Sequence, residues 1–297
     1  MKLTQRTFMP GSPWVYLKIY AGSKTMDELL ARSINSIVKK LKKQNIIHKW
    51  FFIRYTDPDT HLRIRFLMND QADFGKIIDL FYTDLDKYVK DGLIWKVQLD
   101  TYNRELERYG NELIEQAESI FSVDSDCILS IVRILHHTQN ENHRWMIALK
   151  LIDDLFADFS IDIEEKHRLM DSLSNSFKRE FGFNEYNAKQ FNVKFRDKKK
   201  IIESILDHTI DDADFKSLEA AVKQRSKKLK PIIKQLQNKL EKQKNRDLIN
   251  SLLTSYIHMT TNRLFRSKNR LHELVLYDFM RRYYNSAIAK AKNTINN

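Results

Sequence analysis

Apolar and polar residues alternate along the first part of the chain and then give way to spacings of three and four. Residues 13–20, Pro-Trp-Val-Tyr-Leu-Lys-Ile-Tyr, read as a strand bounded by Pro13 and Gly22. Leu29, Leu30, Ile34, Ile37, Val38 and Leu41 then keep a period near 3.6, so a helix follows, with Thr25 as its cap. Strands at 47–56 and 60–68 come next, joined by the turn sequence Asp57-Pro58-Asp59. Phe74, Ile77, Phe81, Leu85 and Tyr88 mark a second helix from Asp70 to Val89. Gly92 ends it, and a fourth strand covers 93–102. The order β-α-β-β-α-β predicts an α+β fold built on a ferredoxin-like unit. Both helices fall on one face of the sheet, so the other face needs the rest of the chain, a partner or a ligand to cover it.

From Asn111 onward the spacing is almost wholly helical, near 111–121, 124–138, 141–159 and 162–181. Asp124-Ser125 and Asp162 are placed as helix starts, where acidic groups face the positive end of a helix. The stretch 184–246 is highly charged, and a last pair of helices covers roughly Asp247–Phe265 and Leu271–Lys292. The expected organisation is a ferredoxin-like unit over residues 1–110 and a mainly helical region over 111–297 packed against it.

Composition narrows the function classes. With 6 glycines and 4 prolines the chain favours long helices, and it holds neither a GxGxxG nor a P-loop pattern for a phosphate. Cys127, the sole cysteine, cannot form an internal disulfide and reads as a buried thiol. The start Met1-Lys2-Leu3-Thr4-Gln5-Arg6 lacks a signal-peptide core, and no run approaches the roughly 18 apolar residues of a membrane span. A cytoplasmic chain is expected. A formal net charge of +12 favours a polyanion or an acidic peptide as partner.

Three constellations could carry chemistry. In His61-Leu62-Arg63-Ile64-Arg65-Phe66, alternation puts His61, Arg63 and Arg65 on one strand face, with the arginines about 7 Å apart. Two guanidinium forks at that spacing suit carboxylates or phosphates. In Tyr102-Asn103-Arg104-Glu105-Leu106-Glu107-Arg108-Tyr109-Gly110, Arg104 and Arg108 share a face if the turn is helical. They then need Glu105, Glu107 or an anionic ligand to offset their repulsion. In Tyr256-Ile257-His258-Met259-Thr260-Thr261-Asn262-Arg263-Leu264-Phe265, His258 and Asn262 stack at i,i+4 on a helix whose Ile257, Leu264 and Phe265 belong to the core. His136, His137 and His143 form a loose trio that reads as solvated surface, so no metal site is expected.

The segment Phe8-Met9-Pro10-Gly11-Ser12-Pro13-Trp14, with Trp50 to Tyr55 and His61 to Phe66, closely resembles the C-terminal elimination domain of lantibiotic dehydratases. The same domain occurs as the stand-alone thiopeptide-type bacteriocin biosynthesis protein. The Tyr102–Gly110 and His258–Leu264 segments are similar to that family's other two signatures. Asn111 departs from the pattern, standing where a second glycine is common.

The resemblance implies one elimination domain that removes glutamate from glutamylated Ser or Thr of a ribosomally made precursor peptide, leaving dehydroalanine or dehydrobutyrine. It implies His258, Arg65 and Arg104 as catalytic residues, and Arg63, Arg108, His61, Asn262 and Tyr109 as substrate-binding ones. The choice between Arg104 and Arg108 stays open, with Arg104 preferred. Imidazole shuttles protons near neutral pH, and guanidinium groups stabilise developing negative charge. Neither metal nor cofactor is required for such an elimination. The implied partners are the precursor peptide, with its leader and glutamylated core, and a separate tRNA-dependent glutamylation protein. A cyclase and a second copy of the chain are further partner expectations. The alternatives are the pyridine-forming cycloaddition of thiopeptide pathways and a non-catalytic subunit that binds precursor peptide or nucleic acid.

Overall fold

The computed structural model describes residues 4–243 and 246–295. Met1 to Leu3 of the start segment, and Lys244 and Asn245 of the charged stretch, lie outside the described residues. The chain forms two compact units, Met1–Gln139 with Lys227–Ser267, and Asn140–Ser226 with Lys268–Asn297.

The first unit is mixed. Strands β2 (Trp14–Ala21), β3 (Ile47–Tyr55), β4 (His61–Met68) and β5 (Ile94–Leu99) form a sheet of order β3-β4-β2-β5. All of its neighbouring strands are antiparallel. Alternation puts Val15, Ile19, Phe52, Leu62, Ile64 and Phe66 on one face, and each is fully buried. Burying a side chain of this kind stabilises by about 1.5–3 kcal/mol, so this face carries much of the unit. Its cover is the helical run α1 (Ser23–Leu29), a π turn at Leu30–Ile34, α2 (Asn35–Lys43) and α3 (Phe74–Lys90). Phe81 of α3 meets Phe66 edge-on at 5.7 Å. The N-cap of α1 is Gly22, with no side chain bonded to the helix end, so Thr25 lies inside the first turn instead of capping it.

The expected fourth strand does not run unbroken to residue 102. Asp100 turns the chain by accepting from the Thr101 N–H at 2.7 Å. Then β6 (Tyr102–Asn103) leaves the main sheet to pair with β1 (Thr7–Phe8). The short helix α4 (Leu106–Tyr109) follows and ends at Gly110, whose φ of +78° and ψ of +148° form a combination nearly confined to glycine.

The largest correction concerns residues 111–138. They do not break at Asp124; α5 runs unbroken from Ile114 to Thr138. Asp124 and Ser125 resemble a helix start in sequence, yet both are buried in mid-helix, where their side chains serve tertiary partners. Asp124 meets Thr260 and Arg263, and Ser125 meets the edge of the sheet. An edge strand leaves one row of backbone groups unpaired, and on β3 side chains supply what a neighbouring strand would. Ser122 Oγ accepts from Trp50 N at 3.3 Å and Ser125 Oγ from Phe52 N at 3.2 Å. Helix α10 (Arg246–Leu264) completes the row. Asn262 Oδ1 accepts from Arg54 N and Asn262 Nδ2 donates to Arg54 O, both at 2.9 Å, while Arg263 Nε donates to Phe52 O at 2.7 Å.

The second unit is helical: α6 (Asn142–Asp158), α7 (Ile163–Glu180), α8 (Glu185–Leu206), the first part of α9 (Ala213–Gln243) and α11 (Asn269–Ile295). Helix α11 packs on α6, α7 and α8. Its buried Asp278 accepts from Lys178 and Arg282, each at 2.6 Å. His143 is buried on the core face of α6, against Phe215 and 3.1 Å from Asp212, so it is not part of a solvated histidine trio. The described part of the charged 190–246 stretch is helical except for the connection at 207–212 between α8 and α9. No described helix is long and apolar enough to cross a membrane.

Candidate functional site

The second face of the sheet is cationic and aromatic. Antiparallel register sets Arg65 between Tyr16 and Phe51, Arg63 between Lys18 and Ile53, and His61 between Tyr20 and Tyr55. Each of these three side chains lies on a ring. The Arg65 guanidinium carbon is 4.3 Å from the Tyr16 centroid and 4.9 Å from that of Tyr102. That of Arg63 is 3.4 Å from Tyr55, and the His61 ring stacks on Tyr20 at 4.5 Å. Aromatic quadrupoles hold the two guanidinium groups without consuming their hydrogen-bond donors.

His61 and Arg63 form a chain. Arg63 Nε donates to His61 Nε2 at 3.0 Å, and the proton this leaves on Nδ1 goes to the Asp59 carbonyl at 2.7 Å. Burial lowers the His61 pKa from its ordinary value near 6.5, with the neighbouring Arg63 acting in the same direction. A histidine whose folded pKa is depressed binds fewer protons folded than unfolded. Folding stability is then lost as pH falls through the interval below about 6.5. Urea midpoints measured from pH 7.5 to 5 should fall less steeply in His61→Gln than in the parent chain.

At Arg65 the face closes into a cavity of about 40 Å³, walled by Phe51, Tyr102, Tyr109, Phe121, Met259 and Arg263. Three helices bring the last four: α4 carries Tyr109, α5 carries Phe121, and α10 carries Met259 and Arg263. Tyr109 is turned inward where α4 ends at Gly110; its ring stacks on Tyr256 and meets Phe121 edge-on. Burial pushes its hydroxyl pKa up to about 12, so it remains an O–H donor at neutral pH. Arg263, the residue that sequence reasoning quoted without giving it a role, is 1 % exposed. Its Nη1 donates to Asp124 Oδ2 at 2.9 Å, Thr260 Oγ1 donates to Asp124 Oδ1 at 3.1 Å, and the guanidinium lies over Phe121. The signal was available: Tyr256, Thr260 and Arg263 recur at i, i+4, i+7, which puts an arginine in the buried stripe of α10.

The other expected site residues are distributed around this cavity. His258 is half-buried on α10, one residue before the cavity-lining Met259. Asn262 spends its amide on the β3 edge. Arg104 and Arg108 do not share a helical face, since α4 begins only at Leu106. Arg108 is exposed, 3.3 Å from Glu105. Arg104 is buried and gripped by Glu118, Nε to Oε1 at 2.6 Å and Nη2 to Oε2 at 2.7 Å. It lines a separate, wider cleft of about 770 Å³ with Trp14, Glu115 and Lys239. Tyr102 links the two places: its ring lies under Arg65, and its hydroxyl donates to Glu118 at 2.9 Å. In the helical unit, Asp153, Asp154 and His208 come close enough to share a cation, but Lys166 and Tyr284 already donate to Asp153, and Lys150 to Asp154.

Residues 14–284, a span that includes every cavity residue, match the family described as lantibiotic biosynthesis dehydratase C-term. The chain belongs to this family. This dehydratase C-terminal protein is 26 % identical, over 98 % of its length, to the nisin biosynthesis protein NisB of Lactococcus lactis subsp. lactis. It spans only 27 % of NisB, about a quarter of that relative. Among solved structures, the tRNA dependent lantibiotic dehydratase MibB from Microbispora sp. 107891 matches 96 % of this chain and 29 % of its own. Its TM-score is 0.73 at 19 % identity. The pyridine synthase TbtD from thiomuracin biosynthesis matches 93 % of this chain and 99 % of its own, with a TM-score of 0.66 at 12 % identity. At these identities the structural likeness is one of fold.

Proposed function

We propose that this dehydratase C-terminal protein removes glutamate from glutamylated Ser and Thr residues of a ribosomally made precursor peptide. The observation that carries the reading is the buried pair Arg65 and Arg263, set among aromatic rings, with Arg263 on the same helix as His258. Such an elimination breaks the Cα–H bond, forms the Cα=Cβ bond and opens the Cβ–O bond to release a carboxylate. His258 serves as proton acceptor and donor. Arg63 and Arg65 offset the charge that grows on the peptide carbonyl and on the leaving carboxylate. Arg104 acts through Glu118 and Tyr102, fixing the ring on which Arg65 rests, and Asn262 fixes α10 against β3. Arg108 and His61 line the approach to the site.

The strand order with its two helical crossovers supports a ferredoxin-like sheet unit, and the family match supports reading the chain as one elimination domain. The glutamyl group would come from a tRNA-dependent glutamylation partner, in keeping with the much longer chains of NisB and MibB. The net charge of +12 suits an acidic leader peptide. A second reading, the cycloaddition that forms a pyridine, has the fold of TbtD over nearly its whole chain in its favour.

Incubating the protein with a chemically glutamylated peptide and following mass separates the two. Loss of glutamic acid with retention of the leader is expected. Release of a leader-sized fragment from an already dehydrated peptide, with no glutamate loss, would select the cycloaddition.

A further inference from the structure

Three donor atoms on residues that line this cavity share an unusual property: each is buried and none has a hydrogen-bond acceptor. They are Arg65 Nε, Tyr109 Oη and Arg263 Nη2. Their residues are 8 %, 3 % and 1 % exposed, on three different elements, and all three line the same small cavity. A buried donor without an acceptor is costly, because it has given up water for nothing. The charges do not close either. The wall holds two guanidinium groups and Asp124 stands behind it, its two oxygens already taken by Arg263 and Thr260. Glu105, at the rim, is exposed and faces Arg108. One positive charge therefore lacks a counter-ion inside the cavity.

We propose that Arg263 and Tyr109, joined by the Nε of Arg65, form a closed subsite for a single carboxylate. This rests on the elimination reading and adds to it residues that hold the glutamyl group. A carboxylate is acceptor-only, with room for about four hydrogen bonds, so it satisfies all three donors and supplies the missing negative charge. A cavity of about 40 Å³ has room for that group and not for a peptide, so the remainder of the substrate lies outside. The Asp124 and Phe52 contacts take Nη1 and Nε of Arg263 and leave Nη2 for the ligand. Two carboxylates of the substrate have the right chemistry: the side-chain carboxylate of the glutamyl group and the one that departs as the ester opens.

The test uses the full chain and Tyr109→Phe, which keeps the stacked ring and deletes only a hydroxyl that has no acceptor. The apo protein should melt at the same temperature or higher after this change. Its affinity for glutarate, titrated calorimetrically at fixed ionic strength, should fall about ten- to a hundredfold, as for loss of a hydrogen bond to a charged group. Glutaramide and sulfate should bind neither protein. Equal glutarate affinity in the two proteins, or a sulfate response matching that of glutarate, would overturn the subsite. Arg263→Lys, if folded, should lose glutarate binding too; should it fail to fold, the Tyr109→Phe comparison still decides.

Peptides esterified with glutamine in place of glutamate separate the two sources. If the site holds the side-chain carboxylate, Tyr109→Phe carries no further penalty on the glutaminyl ester. If it holds the departing one, the penalty persists in kcat. Glutarate binding without any elimination would retain the subsite and sink the reaction. Elimination with parental kcat and KM in Tyr109→Phe would retain the reaction and sink the subsite.

Discussion

His258→Ala protein should fold, bind its peptide and accumulate the glutamylated form, with elimination slowed by about 10²- to 10⁴-fold. The substitution removes a half-buried side chain from α10 while leaving the residues that tie this helix to the sheet, Asn262 and Arg263, in place. Loss of imidazole then affects proton transfer and not assembly. Single-turnover mass spectrometry on a glutamylated peptide reads the effect directly. A folded His258→Ala protein that releases glutamate at the parental rate would take the histidine out of the reaction. Arg65→Ala, measured alongside, should lose both rate and affinity, since a guanidinium that meets the ligand in the ground state and the transition state contributes to both.

The largest loss of stability is expected from Asp124→Ala. Arg263 would remain in the core with its anionic partner deleted, and breaking a buried pair from one side costs about 3–5 kcal/mol. Thr260 Oγ1 would lose its acceptor as well. The urea midpoint of the sheet unit, followed by tryptophan fluorescence, should fall markedly. Glu107→Ala, which breaks an exposed pair with Arg6, should leave the midpoint nearly unchanged. A comparable shift in both variants would mean that the Asp124–Arg263 pair has no special structural weight.

Much of the sheet unit was legible because each element announces its period. Leu62, Ile64 and Phe66 alternate with His61, Arg63 and Arg65, and the structure puts the two sets on opposite faces as expected. The reading failed where a polar residue is buried for a tertiary reason. Asp124 and Ser125 carry the residue types of a helix cap, and nothing local reveals that their partners lie on α10 and β3. Arg263 shows the same difficulty from the other side. Its spacing from Tyr256 and Thr260 puts it in the buried stripe of α10, but only the distant Asp124 and Phe52 carbonyl explain why a cation is held there. The pairing of Thr7–Phe8 with Tyr102–Asn103 joins segments too short and too far apart to signal one another. Arg104 and Arg108, four apart in sequence, were told apart by backbone shape: Arg104 precedes the helical turn and faces Glu118, whereas Arg108 points to solvent.

The sealed edge of β3 bears on how a substrate meets this site. Ser122, Ser125, Asn262 and Arg263 grip backbone atoms, whose positions are set by strand register and do not depend on the rotamer of any residue in β3. Helices α5 and α10 are thereby indexed to the sheet like teeth on a rack. Arg65, Tyr109 and Arg263 hold their spacing before any ligand arrives, so the entropy of gathering them is lost once, during folding, and not again at each binding event. A receptor of this kind gains affinity through slow release of its ligand and not through a search for the right shape.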